Sequence, residues 1–254
     1  MSSRLNEKVA WVTGASRGIG RAIATAFVNE GAQVIISSRK IEALTDVISE
    51  LSALGGATPV ALPCHMGREQ EISSVVDEIC ARFGAPDIVV NNAGTSPYFG
   101  SFIDAPTPLW DKTFEVNLKG PFWASREVTR RCIAAKKPCS IVNIASIQGQ
   151  LGSPLQGVYA MTKAALISMT QTLSLELGPH GIRVNAIAPG LVKTRLASAL
   201  TDHPEFSKMY TDRTALKRYG TPDEIAGLAV YLASDESAYL SGQAIAIDGG
   251  YTAA

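Results

Sequence analysis

Neither sign of charge prevails in this sequence: 23 basic residues stand against 23 acidic ones, and no long block of like charge occurs. Electrostatic capture of nucleic acid or of an anionic membrane surface is therefore excluded as the main business of the chain, and a small-molecule partner is expected. Cysteine is scarce. Cys64, Cys80, Cys132 and Cys139 form no C-x-x-C pair and are not clustered with the three histidines, so packed, reduced thiols are expected and no metal site is. Long apolar runs are also missing. None reaches the length of a membrane span, and residues 1–8 lack the apolar centre of a secretion signal, so a cytoplasmic protein is expected.

What remains is ample material for a core. With 254 residues, 46% of them hydrophobic, the chain is read as one α/β domain over 1–254. Short apolar runs alternate with longer segments of helical periodicity, the pattern of stacked βαβ units around a parallel sheet. Seven strands are expected at 9–13, 33–37, 58–62, 88–91, 140–145, 183–188 and 243–247. Helices are expected at 18–29, 41–54, 68–83, 109–135, 158–177 and 222–232. Two long connections, 95–108 and 191–220, follow strands at their carboxyl ends. Open α/β sheets bind ligands there, so both are expected to border the active site.

The first strand runs directly into Thr13-Gly14-Ala15-Ser16-Arg17-Gly18-Ile19-Gly20, and a periodic apolar helix follows. Glycines there permit a tight turn and a close backbone approach to a pyrophosphate, while the helix N-terminus offers free N–H groups to its charge. After the second strand the chain reads Ile36-Ser37-Ser38-Arg39-Lys40. An acid at this place would hold the adenosine ribose hydroxyls. Ser38 and Arg39 instead suit a 2′-phosphate, with the guanidinium making a bidentate contact. Arg17 adds a second cation, and NADP(H) is expected over NAD(H).

Tyr159 and Lys163 stand at i and i+4 on one expected helix, so their side chains share a face. A phenol has a pKa of ~10, and a neighbouring ammonium is expected to lower it toward working pH. Ser146, at the end of the fifth strand, can reach the same substrate oxygen from the sheet.

Taken together, Gly14-x-x-x-Gly18-x-Gly20, Asn91-Asn92-Ala93-Gly94 after the fourth strand, Asn117, Ser146, Tyr159-x-x-x-Lys163 and Pro189-Gly190 after the sixth strand resemble the short-chain dehydrogenase/reductase family over nearly the whole chain. The resemblance implies a doubly wound, seven-stranded parallel sheet with three helices on each face, and a homotetramer. It also implies that Tyr159 gives a proton to the carbonyl in reduction and takes it back in oxidation. Ser146 would polarise that oxygen, Lys163 would also bind the nicotinamide ribose, and Asn117 would hold a water leading to solvent. Asn92, Ala93 and Gly94 would border the cofactor. In Pro189-Gly190-Leu191-Val192-Lys193-Thr194, the Val192 backbone and the Thr194 hydroxyl would approach the carboxamide. His65 departs from the family, where an aspartate is usual near the adenine.

By position, the substrate pocket is expected to draw on Ser96, Pro97, Tyr98, Phe99, Gln148, Gln150, Leu151, Val158 and Leu196. That mixture suits a neutral or weakly polar carbonyl. It offers no evident arginine clamp, although Arg195 and Arg213 lie in the 191–220 segment and could fold in. The stretch 92–101 with Ser37-Ser38-Arg39-Lys40 and Cys64-His65 resembles the NADPH-dependent carbonyl and retinal reductases of the family. Three alternatives stay open: a reductase of 3-oxoacyl thioesters on an acyl carrier, for which Lys136 and Lys137 offer charge; an NAD-dependent secondary-alcohol dehydrogenase; and an NADPH-sensing regulator without turnover. Sugar-nucleotide enzymes of the extended branch are longer and space their glycines differently.

Overall fold

The computed structural model describes residues 3–201 and 203–253, and the expectations that touch Met1, Ser2, Asp202 and Ala254 lie, at those positions, outside the described residues. Seven strands form: β1 (Val9–Thr13), β2 (Gln33–Ser37), β3 (Val60–Ala61), β4 (Ile88–Asn91), β5 (Cys139–Ile144), β6 (Ile182–Pro189) and β7 (Ala244–Ile247). They make one sheet, parallel throughout, in the order β3-β2-β1-β4-β5-β6-β7. The order reverses between β1 and β4. A crevice opens there at the carboxyl ends of the strands, where doubly wound sheets take their ligands.

The alternation of side chains along each strand divides the core in two. Ala10, Val12, Val34, Ile36 and Val142 face one layer, built with α1 (Gly18–Asn29), α2 (Thr45–Ala53) and α9 (Pro222–Ala233). Trp11, Ile35, Val89 and Ile141 face the other, against α3 (Glu69–Phe83), α5 (Gly120–Ala134) and the distal end of α6 (Gly157–Leu177). Three helices on each face match the family expectation. All four cysteines are free, with Cys64, Cys132 and Cys139 buried and Cys80 half-buried.

Four expectations need correction. The strand expected at 58–62 shrinks to Val60–Ala61, an edge strand bounded by Pro59 and Pro63, which have no N–H for a ladder. The single helix expected at 109–135 is three pieces: α4 (Thr107–Phe114), a wide π turn (Glu115–Lys119) and α5, with Pro121 in the first turn of the last. A proline interior to one long helix would clash with the preceding turn, whereas at a helix start it costs little. The 191–220 connection carries two helices, α7 (Ser198–Thr201) and α8 (Pro204–Arg213). The expected helix at 41–54 opens with a tighter 3₁₀ turn over Ile41–Leu44.

Candidate active site

The glycine turn is held in place by the end of β4. Thr13 Oγ1 donates to the Val90 carbonyl at 3.1 Å and accepts the backbone N–H groups of Asn92 and Ala93 at 3.0 and 3.1 Å. The Asn92 amide donates to the Thr13 and Gly14 carbonyls at 2.8 and 3.1 Å. Two switch-point loops are thus locked together. Gly14 has φ +67° and lies so near Ala93 that a Cβ would come within 2.7 Å of its Cα; a Cβ on Gly20 would come within 2.7 Å of the Gly14 carbonyl oxygen and overlap the Asn92 amide. Only glycine fits either place.

α1 starts from an extended Arg17 with no side-chain cap and no acid in its first turn, so its positive end is open to an anion. The Ala15 N–H donates to the Ser37 carbonyl at 3.1 Å, bringing the turn against the end of β2. Arg17 and Arg39 are both exposed at this corner, and Ser38, whose hydroxyl donates to the Lys40 carbonyl, is half-buried between them in sequence. An uncapped helix start and a glycine cradle fit the pyrophosphate of a dinucleotide. His65 is satisfied locally: its Nδ1 accepts the Gly67 N–H at 3.0 Å.

A cavity of about 290 Å³ opens at the carboxyl ends of β4, β5 and β6. Ser146, Tyr159 and Lys163 line it together with Ile19, Asn92, Gly94, Pro189, Gly190, Val192 and Thr194, whereas Asn117, the rest of the glycine turn, Ser38, Arg39 and Ala93 lie outside its wall. Ser146 leaves β5 in extended conformation, and its Oγ accepts the Gln148 N–H at 3.1 Å. Lys163, buried, donates from Nζ to the Ile144 carbonyl at 2.7 Å, and Nζ sits 5.5 Å from the centre of the Tyr159 ring. Asn117 is fully buried in the π turn. Its amide donates to the Thr95 carbonyl and to Thr162 Oγ1 at 2.8 and 3.2 Å and accepts the Thr95 N–H at 2.8 Å, which fixes the loop after β4 beside the lysine.

The electrostatics differ from expectation. Burial pushes the Tyr159 phenol up to about 12, with a hydrogen bond to Ser146 pulling the other way, and burial brings the Lys163 ammonium down to about 8. Desolvation penalises the charged form of each, and the opposing pull on the tyrosine comes from Ser146, not from the lysine.

Of the expected pocket residues, Ser96, Phe99, Gln148, Leu151 and Leu196 line the cavity. Three do not. Tyr98 is tied back to the Ser101 carbonyl at 2.7 Å, Gln150 is exposed outside, and Val158 packs into the core at 4% exposure. Sequence reasoning missed Leu155, Gln156, Met209, Tyr210 and Tyr251. Gln156 stands at the cap position of α6, three residues before Tyr159, a place the helix start could have flagged. For Tyr210 and Tyr251, brought in from α8 and the C-terminal end, the sequence carries no such signal.

The family model described as Enoyl-(Acyl carrier protein) reductase matches residues 14–252. Dehydrogenase/reductase SDR family member 4 of Caenorhabditis elegans is 38% identical over 253 residues, spanning 98% of this chain and 97% of that protein. The 3-oxoacyl-(acyl-carrier-protein) reductase of Thermotoga maritima is 38% identical over 247 residues, spanning 97% of this chain and 98% of that one. A gluconate 5-dehydrogenase from Burkholderia cenocepacia J2315, solved in complex with NADP and tartrate, matches the structure with a TM-score of 0.94 at 33% identity, covering 100% of this chain and 98% of the other. With its parallel seven-stranded sheet and its convergent serine, tyrosine and lysine, the chain belongs to the short-chain dehydrogenase/reductase family of NAD(P)-linked oxidoreductases acting on CH–OH groups.

Proposed function

We propose that the protein is an NADPH-dependent reductase of ketone or aldehyde carbonyls that also runs in reverse on the alcohol. The observation that carries this reading is the convergence of Ser146, Tyr159 and Lys163 on one cavity beside the uncapped start of α1. Ser16, Arg17, Gly18, Ile19 and Gly20 would hold the pyrophosphate, and Arg17, Ser38 and Arg39 the 2′-phosphate. Ala93, Gly94, Pro189, Gly190, Val192 and Thr194 would flank the nicotinamide end. A bound nicotinamide supplies the hydride; the chain supplies position and a proton.

With its pKa near 12, Tyr159 keeps its proton at neutral pH, the state from which carbonyl reduction starts. Ser146 Oγ, within hydrogen-bonding reach of the phenol, would bind the same substrate oxygen and hold it to the proton being given. Lys163, anchored on the Ile144 carbonyl, would place its charge behind the phenol as negative charge develops there. Asn117 would keep the 94–96 loop against the lysine through its paired bonds to Thr95.

The likeness to a carrier-protein reductase supports a second reading, a 3-oxoacyl thioester as substrate. The basic residues expected to serve it are badly placed. Lys137 donates to the Ala85 carbonyl at 2.7 Å and pairs with Asp87 at 2.9 Å, beside the amino end of β5 and away from the cavity at its carboxyl end. Phe122, Met161 and Leu175, exposed on α5 and α6 at 42%, 43% and 80%, support assembly as a homotetramer. Light scattering that finds a monomer would overturn that assembly.

The test is cofactor oxidation followed at 340 nm with NADPH and NADH in parallel, against ketones, aldehydes, diketones and a 3-oxoacyl thioester. Turnover with NADPH at least tenfold better than with NADH is expected, and Ser38→Asp should narrow that margin. A preference for NADH would reject the assignment of Arg17, Ser38 and Arg39. No oxidation across the panel would favour the sensing role.

A further inference from the structure

The polar part of the cavity wall is not confined to the catalytic group. Gln148, two residues past Ser146, and Gln156, three before Tyr159, both line the cavity, and Gln148 Nε2 donates to Gln156 Oε1 at 2.6 Å. A primary amide has two donors and two acceptor lone pairs. After their mutual bond Gln148 keeps both lone pairs of its carbonyl and one N–H, and Gln156 keeps both N–H donors and one lone pair, so the pair can still accept and donate. The backbone at this place is strained: Leu155, immediately before Gln156, holds φ +66° without being glycine, and its carbonyl accepts the Gly100 N–H at 2.9 Å. Left-handed backbone at a branched residue persists where the surroundings enforce it, and it gathers at ligand sites.

The rest of the wall defines what this pair could meet. Phe99, Leu151, Leu155, Leu196 and Met209 supply apolar surface, and among the described lining residues Lys163 is the only cation. That ammonium is already engaged with the Ile144 carbonyl. Arg213 lies with its guanidinium 4.5 Å from the Tyr251 ring centre and Arg195 is exposed; neither lines the cavity. A carboxylate substrate would find no cation beyond that lysine among the described lining residues, and burying a charge without an opposite one is costly.

We propose that Gln148 and Gln156 form a substrate-selecting amide pair, which reads a second, uncharged oxygen function one or two carbons from the reacting carbonyl. The substrate class is then a neutral hydroxyketone, diketone or 3-oxo ester, held with its reacting oxygen on Ser146 and Tyr159 and its second oxygen on the amides. This rests on the reductase reading above and adds to it the choice of substrate.

The experiment compares kcat/KM with NADPH for 3-hydroxybutan-2-one and butane-2,3-dione against butan-2-one, and for 5-ketogluconate as an anionic arm. The wild-type protein should favour the oxygenated neutral ketones over butan-2-one by about tenfold to a hundredfold, because a polar site rejects an analogue lacking the oxygen it binds. Gln148→Met and Gln156→Met keep side-chain length and remove the amide, and each should bring the ratio down to within about threefold of unity. The ratio is read within each variant, so a general loss of activity does not imitate the effect. Wild-type indifference to the second oxygen, a ratio unmoved by both variants, or better turnover of 5-ketogluconate would each overturn the amide assignment while leaving a working reductase. Absence of turnover with every ketone would overturn the reductase reading and the amide pair with it.

Discussion

The glycine corner and the 191–220 lid border the same cavity but are built on opposite plans. At the corner, ligand-facing groups are backbone, and the backbone is held by buried side chains such as Thr13 and by Asn92, which bonds to Thr13 and Gly14 of the turn. The lid is fastened at its ends, where Lys193 N–H donates to the Gly220 carbonyl and Gly220 N–H to the Leu191 carbonyl, both at 3.0 Å, and at Tyr210 and Leu216, which bond the Leu191 N–H and the Gly249 carbonyl. Between those ends its contribution to the cavity comes from side chains, among them Leu196 and Met209, which remain 49% and 64% exposed. A site for an invariant pyrophosphate can be encoded in chain geometry. A site that selects among carbonyls needs side chains that can be exchanged without moving the frame.

The largest effect that would sharpen this contrast lies between the two regions. Tyr159→Phe removes the proton donor and should lower kcat about 10²- to 10⁴-fold, measured by NADPH oxidation. A loss under tenfold would mean another group gives the proton. Next comes a pair of substitutions on either side. Gly20→Ala forces a Cβ against the Gly14 carbonyl and the Asn92 amide and should cost about 1–3 kcal/mol of stability together with most cofactor affinity. Leu196→Ala in the lid should change stability by less than ~0.5 kcal/mol. Urea midpoints of the two variants decide it, and comparable losses would break the contrast between a rigid corner and a loosely built lid.

A smaller effect concerns Lys163. Its pKa falls from 10.5 in the unfolded chain to about 8 in the fold, so between these values the unfolded chain carries a proton that the native one has released. Stability therefore rises with pH across that window, its contribution being complete above 10.5 and lost as pH falls through 8. Tyr159, raised from 10 to about 12, works in the opposite direction only above pH 10. Thermal midpoints of the wild type and Lys163→Met, compared from pH 7.5 to 10, should show the wild type gaining on the variant. A constant difference would mean that burial does not disfavour the ammonium.

The same division explains what could be read from the sequence. Glycines, prolines and short apolar runs act locally, so β1, β2, β4 and α1 lie where expected and the tight turn between β1 and α1 was legible in its glycines. The Tyr159–Lys163 pair was legible for the same reason, as a spacing on one helix. Its electrostatics were not, because burial is a property of the assembled fold. Tyr98 has the right position after β4 but folds back on Ser101, a rotamer choice that no pattern encodes. The segment containing α8 is mostly polar, its apolar residues Phe206, Met209 and Tyr210 spanning little more than one turn, and His203-Pro204-Glu205, a proline at the first helical position followed by an acid, marks its start. Tyr210 and Tyr251 meet across 41 residues of chain, and a contact at that separation is fixed by the whole topology.

Those two tyrosines offer the finest test of how the lid is attached. Tyr210 stacks on Tyr251 with ring centres 4.5 Å apart and planes inclined by 12°, and its hydroxyl oxygen accepts the Leu191 N–H at 2.6 Å. Gly190 gives room for it, since a Cβ there would reach within 2.8 Å of the Asp248 Cα and collide with the phenol. One lid side chain thus holds the turn that closes β6, next to the expected nicotinamide contacts. Tyr210→Phe keeps the stack and removes only the acceptor, leaving the Leu191 N–H unpaired at a cost of about 1 kcal/mol. If that bond positions the 189–194 turn for the cofactor, KM for NADPH should rise about fivefold, the equivalent of ~1 kcal/mol, with kcat changing less. Tyr210→Leu, which loses the stack as well, should raise KM for the carbonyl substrate further. Equal values in Tyr210→Phe and the wild type would mean that the aromatic stack alone fastens the lid, and that the turn after β6 holds its shape through Gly190 and the pairing of Val192 with Gly220.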